Sequence, residues 1–213
     1  MTKSTISARE ALDRLREGNR RFVAETRSRQ TVTSQARRLE LAPGQEPFAS
    51  ILGCSDSRVP AEIVFEQGLG DLFVIRVAGN IVAPSQVGSV EFAASRFGVR
   101  LVVVLGHSSC GAILATLEEL GRPSGDQSKN LRSIVDRIRP SVEALLATEL
   151  GLHTEALVEQ AVRANIRASA DHLRHGSEVL EQLIQNDGLV VVGAEYSLET
   201  GVVDFFDGAP NAG

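Results

Sequence analysis

The sequence is poor in cysteine, with two residues in a chain of 213. It also lacks any apolar run near the roughly 18 residues that a membrane-spanning helix needs. Its first residues lead into a charged amphipathic stretch without the apolar core of a secretory signal. These absences predict a cytoplasmic protein with no membrane partner. In that compartment, metal binding or reactivity explains two cysteines better than a lone structural disulfide does.

Positive charge is also in short supply. The chain has 22 Lys and Arg residues against 27 Asp and Glu residues, a net charge of -5. The net charge of the whole chain therefore does not suggest nucleic acid as a partner. The first 40 residues are nevertheless basic and the remainder is acidic. Such a basic segment could pack on the acidic body or on a partner subunit, and a solvated Arg-rich helix face explains it equally well.

Apolar runs alternate with amphipathic stretches along most of the chain, which predicts an α/β fold with a mainly parallel sheet. The hydrophobic share of 43% suits a globular domain with its own core. Strands are predicted at 48–53, 72–77, 101–106, 189–194 and 202–206. Helices are predicted at 7–25, 33–41, 60–66, 85–97, 111–120, 131–138, 154–173 and 178–185.

Both cysteines follow predicted strands. Cys54 directly follows the strand at 48–53, and His107 and Cys110 follow the strand at 101–106. In open parallel sheets, sites form beyond the carboxyl ends of the strands. Two thiolates and one imidazole suit Zn²⁺ and leave a fourth position open, as in catalytic zinc sites. A single buried cysteine is usually a small apolar residue, so the prediction depends on all three residues together.

Two segments resemble the signatures of the β-class carbonic anhydrases: CSDSRVP at 54–60 and GHSSCG at 106–111. Similarity continues through LFVIRVAGN at 72–80 and covers about residues 7–206. The resemblance implies a four-stranded parallel sheet with an added antiparallel edge strand and helices on both faces. It also implies a homodimer that exchanges an N-terminal helical arm, residues 1–42, and often a tetramer. Residues 43–213 would then form the zinc-binding catalytic domain.

The same resemblance assigns Zn²⁺ to Cys54, His107 and Cys110, and a catalytic dyad to Asp56 and Arg58. The implied reaction is reversible hydration of CO₂ to bicarbonate and a proton, through attack by zinc-bound hydroxide. Asp56 would accept the hydroxide's hydrogen bond while Arg58 holds the carboxylate through a bidentate pair. From spacing alone, a turn cap or a surface salt bridge explains the dyad equally well. Asp56 could also reach the metal itself as a fourth ligand in a closed state.

The resemblance also implies a substrate pocket. Gln45 stands nine residues before Cys54, where plant-like members carry a substrate-binding glutamine. Phe73 matches a pocket phenylalanine, Phe92 replaces a pocket tyrosine and so lacks its hydroxyl, and Gly111 closes the second signature. Gln45 and Phe92 would face the partner subunit's zinc. For Phe73 and Phe92, ordinary core packing is the alternative.

Some bacterial relatives hold an inhibitory bicarbonate with a tryptophan, an arginine and a tyrosine. Arg76 and Tyr196 match two of these positions, but Ile51 stands at the third and the chain has no tryptophan. We therefore expect weak or absent inhibition by bicarbonate at such a site.

Three other functions compete with CO₂ hydration. The same zinc hydroxide could hydrolyse carbonyl sulfide or carbon disulfide, although the complete CSDSR motif and Gln45 favour CO₂. A non-enzymatic zinc or assembly protein would be expected to lack dyad residues, and none is missing. A serine hydrolase built on Ser108 or Ser109 is the weakest alternative, because no Asp–His pair relates to either serine.

Overall fold

The computed structural model describes residues 6–26, 34–121, 128–147 and 154–210. Its strands are β1 Ala49–Gly53, β2 Leu72–Arg76, β3 Leu101–His107, β4 Val190–Tyr196 and β5 Val203–Asp207. Its helices are α1 Ala8–Val23, α2 Gln35–Leu41, α3 Ala61–Val64, α4 Pro84–Arg96, α5 Gly111–Gly121, α6 Lys129–Val142, α7 Thr154–His175 and α8 Glu178–Asn186. Short 3₁₀ turns lie at Ala78–Asn80 and Glu143–Ala147. Each predicted strand and helix is found, with ends shifted by a few residues.

The strands form one sheet in the order β2-β1-β3-β4-β5. The first four are parallel, and β5 pairs with β4 in the antiparallel direction at one edge. The α/β prediction is therefore confirmed, including its antiparallel edge strand. Gly53 at the end of β1 pairs with Leu105 of β3. That register brings the residues after β1 beside the end of β3, where the predicted metal ligands lie.

Helices cover both faces of the sheet. Along β3, Val102 and Val104 face a core that includes α4 to α8, whereas Leu101, Val103 and Leu105 face a core that includes α1 and α3. Every residue of β3 is buried. The uninterrupted apolar run therefore reflects burial on two faces, as expected for a central parallel strand.

The N-terminal segment divides into two parts with different packing. In α1, Leu12 and Leu15 are fully buried against the chain's own core. Asn19 fixes the helix further, because its Nδ2 donates to the carbonyl of Gly201 at 2.8 Å and its Oδ1 accepts from the Val203 N–H at 2.9 Å. By contrast, α2 buries no residue within the chain. Exchange of the arm, residues 1–42, between subunits stays a prediction.

Helix α6 is longer than the predicted 131–138, since it continues through Pro140 to Val142. Proline removes one backbone donor and usually ends or kinks a helix. Here Ile138 and Val142, on either side of the proline, are both fully buried, and this packing favours continuation. Within the described residues, no helix is long and apolar enough to cross a membrane.

Candidate metal and active site

The three predicted metal ligands come together at the ends of β1 and β3. Cys54 follows β1, His107 is the last residue of β3, and Cys110 directly precedes α5. One ligand atom from each lies within 4.8 Å of the other two, and all three residues are buried. The two sulfur atoms are 4.0 Å apart. The parallel pairing of β1 with β3 explains this convergence, because it aligns the carboxyl ends of both strands.

His107 has a defined tautomer and a free nitrogen. Its Nδ1 lies 2.9 Å from the carbonyl oxygen of Ser108, which can only accept, so Nδ1 carries the proton. Nε2 is buried and has no hydrogen-bond partner in the described structure. A buried unpaired polar atom is costly. A metal ion on Nε2 removes that cost, and an Nδ1–H donated to a carbonyl is the usual support for a metal-ligating histidine.

The two thiols are surrounded by backbone donors. Cys54 Sγ accepts hydrogen bonds from the backbone N–H groups of Asp56 and Gly79, each with an N···S distance of 3.4 Å. The backbone N–H groups of Ala112 and Ile113, in the first turn of α5, act to lower the pKa of Cys110. The hydrogen bond from Cys110 lowers the pKa of Cys54 to about 4. That same bond, together with burial, raises the pKa of Cys110. Without a metal, the two sulfurs share one hydrogen bond and so one proton. Two sulfurs and one imidazole form a donor set that fits Zn²⁺.

Asp56 and Arg58 form a bidentate pair beside the ligands. Arg58 donates from Nε to Oδ1 at 2.9 Å and from Nη2 to Oδ2 at 2.7 Å, and its backbone N–H also donates to Oδ1. These hydrogen bonds hold the pKa of Asp56 well below its usual range. Asp56 Oδ2 lies 3.9 Å from His107 Nε2. The carboxylate is thus ionised, oriented and next to the candidate metal position.

Arg76 has a structural role that the sequence analysis missed. Its Nε donates to the carbonyl of Cys54 at 2.9 Å, and its Nη2 donates to the carbonyl of Asp56 at 2.6 Å. Arg76 ends β2 and pairs in register with Gly53 of β1. One guanidinium therefore fastens the loop that carries both a candidate ligand and the dyad carboxylate. The sequence shows only that an arginine ends a predicted strand. Its role can be recognised once the pairing of β2 with β1 is known.

The predicted substrate residues lie in two places. Gly111 follows Cys110 at the start of α5, is exposed, and has open space where a side chain would stand. Phe73 and Phe92 contact each other, with ring centroids 6.1 Å apart, and Phe92 is 52% exposed. Gln45 lines a cleft of about 710 Å³ that adjoins these two rings, because Phe97, which contacts both, lines it too. None of the described residues lining this cleft is a candidate metal ligand. Within one chain, Gln45 is therefore not brought to the ligands.

The serine-hydrolase alternative gains no support from the geometry. Ser108 Oγ accepts a hydrogen bond from the backbone N–H of Leu198 at 3.0 Å, so the hydroxyl helps hold this loop. The proton-bearing Nδ1 of His107 faces the Ser108 carbonyl rather than a carboxylate. Among the described residues, Ser108 and His107 therefore do not form the base-and-acid arrangement that a nucleophilic serine requires.

Comparison with known proteins places this site in context. A family model described as carbonic anhydrase matches residues 49–203. Carbonic anhydrase 2 of Mycobacterium tuberculosis is 40% identical over 202 residues, which cover 93% of each chain. A carbonic anhydrase of Mycolicibacterium smegmatis is 40% identical over 195 residues, 89% of each chain.

Solved structures agree with these relatives. The β-carbonic anhydrase CafA of Aspergillus fumigatus superposes with a TM-score of 0.73 at 26% identity, covering 95% of this chain and 91% of the other. A tetrameric β-carbonic anhydrase of Sordaria macrospora gives a TM-score of 0.71 at 27% identity, covering 82% and 87%. Both relatives and structures thus match well beyond the two short signatures.

Proposed function

The chain belongs to the β-carbonic anhydrase family, enzymes that interconvert carbon dioxide and bicarbonate, and we propose that it does so with Zn²⁺ held by Cys54, His107 and Cys110. The observation that carries this assignment is the buried, unpartnered Nε2 of His107 beside two thiol sulfurs. Three protein ligands leave one position for water or substrate. The two thiolates also balance the charge of a divalent cation in a buried site.

When bound, zinc lowers the pKa of a coordinated water from about 16 to about 7 and so supplies a nucleophile at neutral pH. The protein's own residues then orient the reaction. Asp56, kept ionised by Arg58, can only accept hydrogen bonds, so it fixes the direction of the attacking oxygen's O–H. With the metal in place, these residues would orient a hydroxide for addition to the carbon of CO₂, which gives bicarbonate, and the water that replaces it would release one proton to solvent.

Arg58 acts through Asp56. Its two parallel hydrogen bonds direct both carboxylate oxygens, which keeps Asp56 from turning toward the metal. The backbone N–H of Gly111 is available for a substrate oxygen, because first-turn amides of a helix have no partner within the helix. Open space at Gly111 leaves room for so small a substrate.

We also propose that Gln45, Phe73 and Phe92 complete the pocket of a partner subunit. Phe73 belongs to β2, one of the two edge strands of the described sheet, and Phe92 is largely exposed on the neighbouring α4. Gln45 is exposed in the adjoining cleft. A homodimer formed at this edge would bring all three to a second site. A cytoplasmic location and a further association into a tetramer belong to the same proposal.

Stopped-flow CO₂ hydration combined with a metal count tests the assignment. We expect one zinc per chain in the wild-type protein and loss of both zinc and activity in Cys54→Ser, His107→Ala and Cys110→Ser. His175→Ala, which alters an exposed histidine on α7, is the matched control and should keep both. Parallel assays with carbonyl sulfide and carbon disulfide distinguish CO₂ hydration from hydrolysis of these two compounds. Full activity in any ligand variant that lacks zinc would contradict the proposal.

A further inference from the structure

Asn165 is a polar side chain on the buried face of the long helix α7. It is 2% exposed and is followed by Ile166, which is fully buried. A polar amide in such surroundings is costly unless it is hydrogen-bonded. Asn165 Nδ2 donates to the backbone carbonyl of Gly79 at 2.8 Å, across 86 positions of the sequence. This bond ties α7 to the short turn at Ala78–Asn80.

Gly79 uses its other backbone group on the candidate metal site. Its N–H donates to Cys54 Sγ at 3.4 Å. The residue has a φ of +70°, and a side chain there would lie 2.9 Å from Ile138 Cδ1 and 3.0 Å from Ala112 Cβ. The turn is therefore confined from several sides. Ile138 and Ala112 confine the turn by close packing, whereas the Asn165 amide is hydrogen-bonded to the Gly79 carbonyl.

We propose that Asn165 is a positioning residue for the metal: by holding the Gly79 carbonyl, it keeps the Gly79 N–H directed at Cys54 Sγ. The inference rests on the proposed function, because it takes Cys54 as a metal ligand. A hydrogen bond donated to a thiolate stabilises its negative charge and fixes the sulfur's direction. Groups that support metal ligands in this way typically change metal affinity by about 10–100-fold when removed.

Cys54 Sγ offers an internal control, because it accepts a second N–H from Asp56 at the same 3.4 Å distance. The Asp56 amide lies in the loop after β1, and Arg76 rather than Asn165 holds that loop. Loss of the Asn165 amide should therefore disturb one of the two N–H bonds to this sulfur and leave the other. A general loss of packing would weaken both.

Nuclear magnetic resonance of the protein loaded with ¹¹³Cd provides the test, through scalar coupling between the metal and amide protons across N–H···S bonds. In the wild-type protein we expect coupling at both Gly79 and Asp56. In Asn165→Ala we expect the Gly79 coupling to disappear and the Asp56 coupling to persist. Absence of the Gly79 coupling in the wild-type protein, or its retention in Asn165→Ala, would overturn the inference.

Zinc affinity, measured by competition with a chelator, is the second readout. Asn165→Ala and Asn165→Asp should each weaken zinc binding by about 10–100-fold. Ser169→Ala, one turn further along α7 and 6% exposed in the native chain, should leave affinity unchanged. If Asn165→Ala fails to fold, Asn165→Asp, which keeps the size and shape of the side chain but lacks the amide donor, is used for both measurements. Equal zinc affinity in the Asn165 variants and Ser169→Ala would overturn the inference, whereas a wild-type protein without zinc or CO₂ hydration would overturn the proposed function instead.

Discussion

Arg58 and Asp56 face each other through two parallel hydrogen bonds, of 2.9 Å between Nε and Oδ1 and 2.7 Å between Nη2 and Oδ2. Asp56 Oδ2 is at the same time 3.9 Å from His107 Nε2. The carboxylate therefore lies within a small movement of the candidate metal position, and Arg58 holds it away. We therefore propose two arrangements: Asp56 paired with Arg58, or Asp56 on the metal with no place for the attacking water.

The first prediction concerns this pair. Arg58→Ala should lower CO₂ hydration by at least about tenfold, because the released Asp56 can occupy the metal's open position. Arg58→Lys should recover little, since a single ammonium cannot reproduce the bidentate fork. Stopped-flow rates together with zinc-site structures at low and high pH provide the measurement. A fully active Arg58→Ala, or Asp56 on zinc under the most active condition, would contradict the idea.

The second prediction concerns the protons displaced when zinc binds. The hydrogen bond between the two sulfurs lowers the pKa of Cys54 and raises the pKa of Cys110, so we expect the metal-free pair to share one proton. We therefore expect about one proton to be released per zinc near neutral pH, because ligands must be deprotonated. Since protons compete with the metal, affinity falls as pH decreases. Calorimetry in buffers of different ionisation enthalpy gives the count, and a release of two would show that both thiols are protonated.

The third prediction concerns bicarbonate. Ile51 is fully buried in the core, and the guanidinium of Arg76 is engaged by the carbonyls of Cys54 and Asp56. The inhibitory set matched by Arg76 and Tyr196 is therefore incomplete at Ile51, and its arginine is already in use. We expect no cooperative inhibition as bicarbonate rises into the millimolar range. Sigmoidal inhibition, or a crystal structure with bicarbonate against Arg76 and Tyr196, would show otherwise.

The fourth prediction compares the two helices of the N-terminal arm, α1 and α2, through a Leu→Ala substitution in each. Leu12 in α1 is fully buried within the chain, so Leu12→Ala should lower the free energy of unfolding by about 2–5 kcal/mol. Leu39 in α2 is 67% exposed, so Leu39→Ala should leave chain stability nearly unchanged. If α2 packs on a partner subunit, Leu39→Ala should instead weaken self-association. Chemical denaturation and sedimentation measure the two effects, and unchanged association in Leu39→Ala would argue against exchange of α2.

The sequence alone predicts the three candidate metal ligands and most of the fold, and one physical reason accounts for both. Cys54 and His107 follow apolar runs that read as parallel strands, and the carboxyl ends of neighbouring strands must meet. Arg76 and Asn165 escape such reasoning, because their partners lie 22 and 86 positions away and depend on register and helix placement. The continuation of α6 through Pro140 was missed for the same reason, since tertiary packing overrides the local preference of proline.

The final prediction tests whether Gln45 serves the partner's site, because it lines a cleft without candidate metal ligands in its own chain. Alone, Gln45→Ala should lower kcat/KM, and His107→Ala should be inactive. In a mixed dimer of the two, the zinc-loaded site of the Gln45→Ala chain would receive the intact Gln45 of the His107→Ala chain. Refolding the two variants together should therefore restore one fully working site per mixed dimer and raise the activity above the average of the two variants refolded alone. As the control, each variant is refolded alone under the same conditions. If the mixture is no more active than the average of these two controls, Gln45 serves its own chain's site or has no part in catalysis.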